Sequence, residues 1–155
     1  MSEPAVPRAS RRRGDRLASR PGAQARRLAF LSLFEEEFRP RQAHAALDRL
    51  GGERAVADEV LAHAHQIVGG VLERRAELDA EITRLAPIIP VSELGRVERT
   101  ILRSALFEVI YSAATPSRET IDDAVSLARI YAGDAARRLV NGVLGSVTRS
   151  SGGGG

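Results

Sequence analysis

The apolar residues between Val56 and Leu85 constrain the fold more than any other feature of the sequence. They recur at spacings of three, four and seven residues, which is the period of one face of an α-helix. The spacing stays in phase across Gly69-Gly70, so the sequence predicts one long helix rather than two. Adjacent glycines weaken a helix, and their presence here indicates that another helix packs closely against them.

The rest of the chain shows shorter patterns of the same period. Ser92 and Asp134 are suitable N-caps for two of the predicted helices, and Gly133 is suited to end one. Thr120 and Asp123 are spaced like a capping box. Sustained alternation of apolar and polar residues is missing from the sequence, so the expected fold is all-α, with six to seven helices. Besides the long helix, the predicted helices cover residues 23–38, 40–50, 92–110, 120–131 and 134–147.

Charge divides the chain near Pro21. The first 27 residues contain eight arginines and two acidic residues, whereas the remaining 128 contain 15 arginines and 18 acidic residues. Residues 1–21 lack apolar periodicity and cannot bury enough surface to offset chain entropy, so we expect a disordered arginine-rich arm. A helical domain is expected over residues 22–149, followed by a flexible glycine-rich tail over residues 150–155.

Composition excludes several classes of protein. The chain has no cysteine, so neither disulfides nor thiolate metal sites contribute, and a reducing cytoplasm is the expected location. The sequence contains no apolar run near the roughly 20 residues that a membrane span needs, so no membrane association is expected. The basic N-terminus lacks the apolar segment of a secretory signal and is expected to belong to the mature protein.

Four segments together resemble the NusB family of transcription antitermination factors. The resemblance covers roughly residues 22–148, and it is specific because the four segments occur in the family's order. It implies a helical fold of two packed sub-bundles, which agrees with the all-α prediction. The segments are Ala25–Phe34 in the first helix, Gly95–Glu108 in the central helix, Ile121–Tyr131, and Leu139–Leu144.

The resemblance also implies a function. Members of the family bind boxA, a short single-stranded RNA element of ribosomal RNA transcripts, together with the small-subunit ribosomal protein NusE. The complex joins other Nus factors on RNA polymerase, and no reaction, cofactor or metal is involved. A related domain is fused to RNA cytosine methyltransferases, but this chain has no room for their catalytic domain. Two alternatives remain open: a general RNA chaperone, and a helical scaffold that forms a homodimer.

Arginines at two helix starts are the candidate RNA ligands. Arg26 and Arg27 match the basic start of the family's first helix, where guanidinium groups and helix-end amides can both face phosphate. Arg137 and Arg138 open the last helix, and cations there oppose the helix dipole unless an external anion is present. Solvated arginines are the alternative, and Asn141 can brace a turn instead of contacting a base. The expected RNA-binding residues are Arg12, Arg13, Arg20, Arg26, Arg27, Arg137, Arg138 and Asn141.

Other side chains have simpler interpretations. Glu93 and Glu98 are expected to be exposed acids that meet the basic partner NusE, with ordinary solvated acids as the alternative. Phe30, Phe34 and Phe38 recur every four residues and are interpreted as core rather than as a stacking platform. Glu35-Glu36-Glu37 is expected to be a solvated face, and no combination of residues points to catalysis.

Overall fold

The computed structural model describes residues 20–112 and 117–152, with side chains over 20–112 and 117–147. The expected arm before Arg20, including Arg12 and Arg13, and the last three glycines of the expected tail lie outside these residues. The described part contains seven α-helices, one 3₁₀ turn and no strand, so the all-α prediction is confirmed. The helices are α1 (Pro21–Phe38), α2 (Ala43–Glu53), α3 (Asp58–Glu73), α4 (Arg75–Leu85), α5 (Arg96–Tyr111), α6 (Ser117–Ala132) and α7 (Asp134–Gly152).

The seven helices pack as two groups that share one apolar core. Helices α1, α2 and α3 contact one another, and α5, α6 and α7 form the second group, with α4 against α5 and α7. Helix α5 also contacts α1 and α3, so it lies between the groups. Phe30, Ile67, Leu102 and Leu144 are all almost completely buried, and they come from α1, α3, α5 and α7. The helices therefore form the two packed sub-bundles that the resemblance to a known family implied.

The predicted long helix is divided at Arg74, so the expectation of a single helix was wrong. Arg74 has φ −111° and ψ 22°, and it separates α3 from α4. Its guanidinium lies 4.1 Å from the centroid of the Tyr111 ring and donates a hydrogen bond to Glu77. Leu78 continues the apolar spacing of α3. Because this one-residue break keeps the apolar residues of α3 and α4 in phase, the apolar pattern of the sequence does not indicate it.

Three predicted helix starts are also displaced, and the first is that of α2, which begins at Ala43 rather than at residue 40. Helix α5 begins at Arg96 with Gly95 as its N-cap, and Ser92 lies instead in a 3₁₀ turn over Val91–Glu93. Helix α6 begins at Ser117, so Thr120 lies inside the helix and does not form the expected capping box with Asp123. Gly133 does end α6 as predicted, because its φ of 97° suits glycine and its N–H donates to the carbonyls of Ala128 and Arg129.

Gly70 lies under the Phe107 ring, which explains one of the two adjacent glycines. A Cβ built on Gly70 would lie 2.1 Å from Phe107 Cζ, whereas one on Gly69 would approach no atom closer than 3.8 Å. We expect Gly70→Ala to lower the free energy of unfolding by about 1–3 kcal/mol because the ring must move. Gly69→Ala is the matched control and should be neutral or stabilising by up to about 1 kcal/mol. Urea denaturation of both variants tests this, and equal stabilities would contradict it.

Among residues 20–112 and 117–152, no helix has both the length and the apolar character needed to cross a bilayer.

Candidate nucleic-acid interface

Arg26 lies inside the protein, where its guanidinium joins three helices. Its side chain is only 5% exposed. Nε donates to Glu108 Oε1 at 2.9 Å, and Nη1 donates to Asp123 Oδ2 at 2.7 Å, so α1 is linked to both α5 and α6. The sequence placed Arg26 against phosphate, but in the structure its donors are directed at internal carboxylates. We therefore assign Arg26 a structural role and remove it from the candidate RNA ligands.

Arg26, Glu108, Asp123 and His63 form a cluster in which neighbouring groups stabilise the charged forms of Arg26 and Glu108. Burial alone would raise the pKa of Glu108, but hydrogen bonds and charges from His63 and Arg26 hold that pKa below its usual value. Burial would likewise lower the pKa of Arg26, but Glu108 and Asp123 raise it. Since both pKa shifts favour the charged forms, the cluster is a buried ion pair network at neutral pH.

Arg20 forms the outer layer of the same cluster. Its Nη1 donates to Glu119 Oε1 at 2.8 Å, and its Nη2 donates to Asp123. The side chain remains 49% exposed, but two carboxylates offset its charge. Arg20 therefore fixes the start of α1 onto α6 and adds little net positive charge to the surface.

Arg27 points away from this cluster, because successive residues of a helix differ by about 100° around its axis. Its Nε donates to the hydroxyl of Tyr131 at 3.0 Å, which connects α1 with the end of α6. Within the described part of the chain, no carboxylate lies within 4.0 Å of its guanidinium. Arg27 is half-buried, and its positive charge has no acidic partner there.

The junction between α6 and α7 brings three further arginines around one acid. Arg137 Nε donates to Asp134 Oδ1 at 2.8 Å, and Arg138 Nε lies 3.8 Å from Asp134 Oδ2. The hydrogen bond and charge of Arg137, with weaker contributions from Arg138 and Arg129, hold the pKa of Asp134 below its usual value. Three guanidinium groups against one carboxylate leave a net positive surface.

Asn141 follows Arg137 and Arg138 by four and three residues, so it shares their face of α7. It is exposed, and its side chain forms no hydrogen bond with the residues that the structure describes. The bracing interpretation is therefore not supported. We call Arg27, Arg129, Tyr131, Arg137, Arg138 and Asn141 the basic surface; Arg129 and Tyr131 were not among the residues that the sequence suggested.

The two candidate partner residues differ in their surroundings. Glu93 is exposed at the end of the 3₁₀ turn, outside α5. Glu98 lies in the first turn of α5 and is half-buried, with its carboxylate folded over Gly95. A Cβ on Gly95 would lie 2.1 Å from Glu98 Oε2, so glycine is required at this N-cap while the side chain keeps this position.

The three phenylalanines of α1 do not share one environment. Phe30 is 1% exposed and belongs to the core as predicted, and Phe34 is half-buried. Phe38 is 55% exposed, so the core interpretation was wrong for this ring. Regular spacing predicts a shared helix face, but it does not show that the final turn of α1 extends past the helices that cover Phe30.

The histidines point to separate neighbours. His63 Nε2 lies 3.1 Å from Glu108 Oε2, whereas His65 contacts His44 and Asp48. Two histidines that are two residues apart on α3 lie about 200° apart around its axis, so they face different neighbours. Among the described residues, no group of three or more histidine, cysteine or acidic residues is arranged to hold a metal ion.

Comparison with known proteins identifies the family. The model of the NusB family matches residues 23–149. The transcription antitermination protein NusB of Dehalococcoides mccartyi (strain CBDB1) is 31% identical over 127 residues, which cover 82% of this chain and 89% of that protein. The protein of the same name from Exiguobacterium sp. (strain ATCC BAA-1283 / AT1b) is 36% identical over 127 residues, which cover 81% and 95%.

Solved structures of the family have the same fold. T. maritima NusB superposes with a TM-score of 0.75 at 26% identity, covering 81% of this chain and 89% of that one. A crystal structure of the antitermination factors NusB and NusE in complex with double-stranded RNA gives a TM-score of 0.73 at 26% identity, covering 81% and 94%. The family match, the relatives and the helical arrangement agree: this chain belongs to the NusB family.

Proposed function

We propose that the chain is a transcription antitermination factor that binds boxA-like RNA of ribosomal RNA transcripts together with NusE. The observation that carries this proposal is the family match over residues 23–149. Relatives at 31% and 36% identity are named transcription antitermination proteins. The family is non-enzymatic, so binding is the activity to be explained, and no cofactor is required.

The basic surface supplies the contacts for RNA phosphate. Arg137 and Arg138 stand at the start of α7, and Arg27 approaches from α1 beside Tyr131. Guanidinium forks match phosphate oxygens, and Asn141 offers both a donor and an acceptor to a base edge. A related structure contains NusB and NusE with double-stranded RNA, and it shares this fold at a TM-score of 0.73. This similarity supports RNA and NusE as the partners.

Charge and position assign further roles to the arginine-rich arm, to Arg20 and to the two acidic residues Glu93 and Glu98. The part of the arm that precedes Arg20, with Arg12 and Arg13, supplies long-range attraction to RNA, whereas Arg20 holds the start of α1 in place. Glu93 and Glu98 face NusE, which then connects the complex to other Nus factors and RNA polymerase in the cytoplasm. The proposed RNA-binding domain covers residues 22–149, and the proposed tail over residues 150–155 begins within the last turn of α7, which ends at Gly152. Sedimentation measurements test self-association into a homodimer.

A fluorescence titration with a boxA-like strand and a scrambled strand tests the proposal. We expect tighter binding to the boxA-like strand and a further increase in affinity when NusE is present. If four to six phosphates are engaged, log K should fall against log salt with a slope of roughly −3 to −4. Equal affinity for the two strands would indicate a general RNA chaperone. Absence of RNA binding, with self-association, would indicate a helical scaffold.

A further inference from the structure

Arg27, Phe34 and Phe38 form one stripe of α1, which connects the basic surface to the exposed ring of Phe38. Phe34 and Phe38 follow Arg27 by seven and eleven residues, so all three lie within about 20° of one line along the helix. Phe30 lies about 60° around the helix from Arg27, and its ring lies 4.9 Å from that of Tyr131 and 5.9 Å from that of Phe34. The stripe begins with an arginine and ends with an exposed ring, roughly 16 Å further along the axis.

Phe38 is held in a defined position although it is exposed. Its ring meets Phe34 edge to face, with centroids 5.3 Å apart and an interplanar angle of 71°. The guanidinium of Arg96, at the first position of α5, lies 4.6 Å from the centroid of the Phe38 ring. An isolated exposed ring is ordinary on a protein surface. The Phe38 ring, in contrast, contacts Phe34 and has the guanidinium of Arg96 over its face, so two planar groups are held against each other.

The three acidic residues that precede Phe38 already form ion pairs or hydrogen bonds within the protein. Glu35 pairs with Arg49 at 2.8 Å, and Glu37 lies 3.1 Å from Arg99. Glu36 accepts hydrogen bonds from three backbone N–H groups at the start of α2. The expected solvated acidic face therefore does not exist, because all three carboxylates are bound within the protein.

The arginines around Phe38, in contrast, have no acidic partner. Arg39 and Arg41 follow Phe38 by one and three residues and are both exposed, and the guanidinium of Arg96 lies over its ring. In residues 20–112 and 117–147, no carboxylate lies within 4.0 Å of any of these three guanidinium groups. The surroundings of the ring are therefore cationic, which suits a ligand that has both planar and anionic groups.

We propose that Phe38 and Arg96 form a nucleobase-stacking subsite that extends the RNA path beyond the basic surface. The inference rests on the proposed function and adds a position at which a base is held. A base of single-stranded RNA stacks on the exposed ring or on the guanidinium plane, while Arg39 and Arg41 attract its phosphates. An acidic protein segment would match the charge but would leave the two planar groups without a partner of their shape.

Replacing the ring tests the inference. We expect Phe38→Leu to weaken binding of single-stranded RNA by roughly 5- to 100-fold, since stacking is lost while the apolar volume is largely kept. Phe38→Trp should retain the affinity. The slope of log K against log salt should not change for Phe38→Leu, because no phosphate contact is removed. Arg75→Ala is the control, since Arg75 is an exposed arginine that follows Arg74, and the guanidinium of Arg74 lies over the ring of Tyr111, the last residue of α5.

Photocrosslinking of the wild-type protein gives a second result that does not depend on a variant. RNA containing 5-iodouridine should form an adduct within the peptide that contains Phe38, as detected by mass spectrometry. If wild-type protein binds RNA but Phe38→Leu binds equally well and crosslinks form only elsewhere, this inference alone fails. If the wild-type protein binds no RNA, the proposed function fails and the inference fails with it.

Discussion

Arg26→Ala should lower the free energy of unfolding by about 3 kcal/mol or more, the cost expected when one partner is removed from a buried ion pair. The substitution leaves Glu108 and Asp123, which are 2% and 3% exposed as side chains, without their shared cation. His63 and Arg20 reach only one of these carboxylates each, so they do not replace Arg26. Urea denaturation at neutral pH measures the loss directly.

Arg27→Ala is the matched control for this prediction, because it removes the same side chain from the next position of α1. Arg27 is half-buried and bonded to a hydroxyl, so its removal should cost about 1 kcal/mol. Combining Arg26→Met with Glu108→Gln and Asp123→Asn should recover much of the stability, since no unpaired charge remains. Equal destabilisation by Arg26→Ala and Arg27→Ala would contradict the structural role of Arg26.

The sequence contains a signal for the burial of Arg26, but the position of Arg26 next to Arg27 made the two arginines look like one basic pair. Arg26 precedes Phe30 and Leu33 by four and seven residues, so it is in phase with the apolar stripe of α1. Glu108 is likewise in phase with Ile101 and Ala105 of α5. A charged residue within an apolar stripe, with opposite charges in the stripes of other helices, indicates a buried ion pair. Reading the two arginines as one basic pair ignored their separation around the helix.

Other features depend on contacts between distant segments, which periodicity does not record. The apolar spacing predicted which segments are helical, but it did not predict the break of the long helix at Arg74, because Leu78 keeps the phase of α3 across that break. Phe38 has the same spacing as Phe30, and only the packing of neighbouring helices shows that one ring is exposed and the other buried. The pairing of Phe38 with Arg96 joins residues that are 58 positions apart, so no local pattern in the sequence indicates it.

Arg137→Ala combined with Arg138→Ala should weaken RNA binding by roughly 25-fold at 0.1 M salt, if each arginine contacts one phosphate. A single-strand contact contributes about 0.7 to the slope of log K against log salt, so the double variant should flatten the slope by about 1.4. The loss should shrink as salt approaches 1 M, because the contribution comes from counterion release. Preference for the boxA-like strand should persist, since these contacts carry no base information.

The double variant Arg54→Ala with Arg75→Ala removes the same charge from elsewhere on the surface. Both arginines are exposed, and neither forms an ion pair within the described residues, so their loss changes net charge without removing a proposed contact. We expect its slope to match that of the wild-type protein within error. Identical flattening by the two double variants would mean that RNA responds to net charge alone, and the basic surface at the α6–α7 junction would then not be the RNA site. If only the Arg137 and Arg138 double variant flattens the slope, phosphates bind at that junction, where the charges of Arg129, Arg137 and Arg138 all act on Asp134.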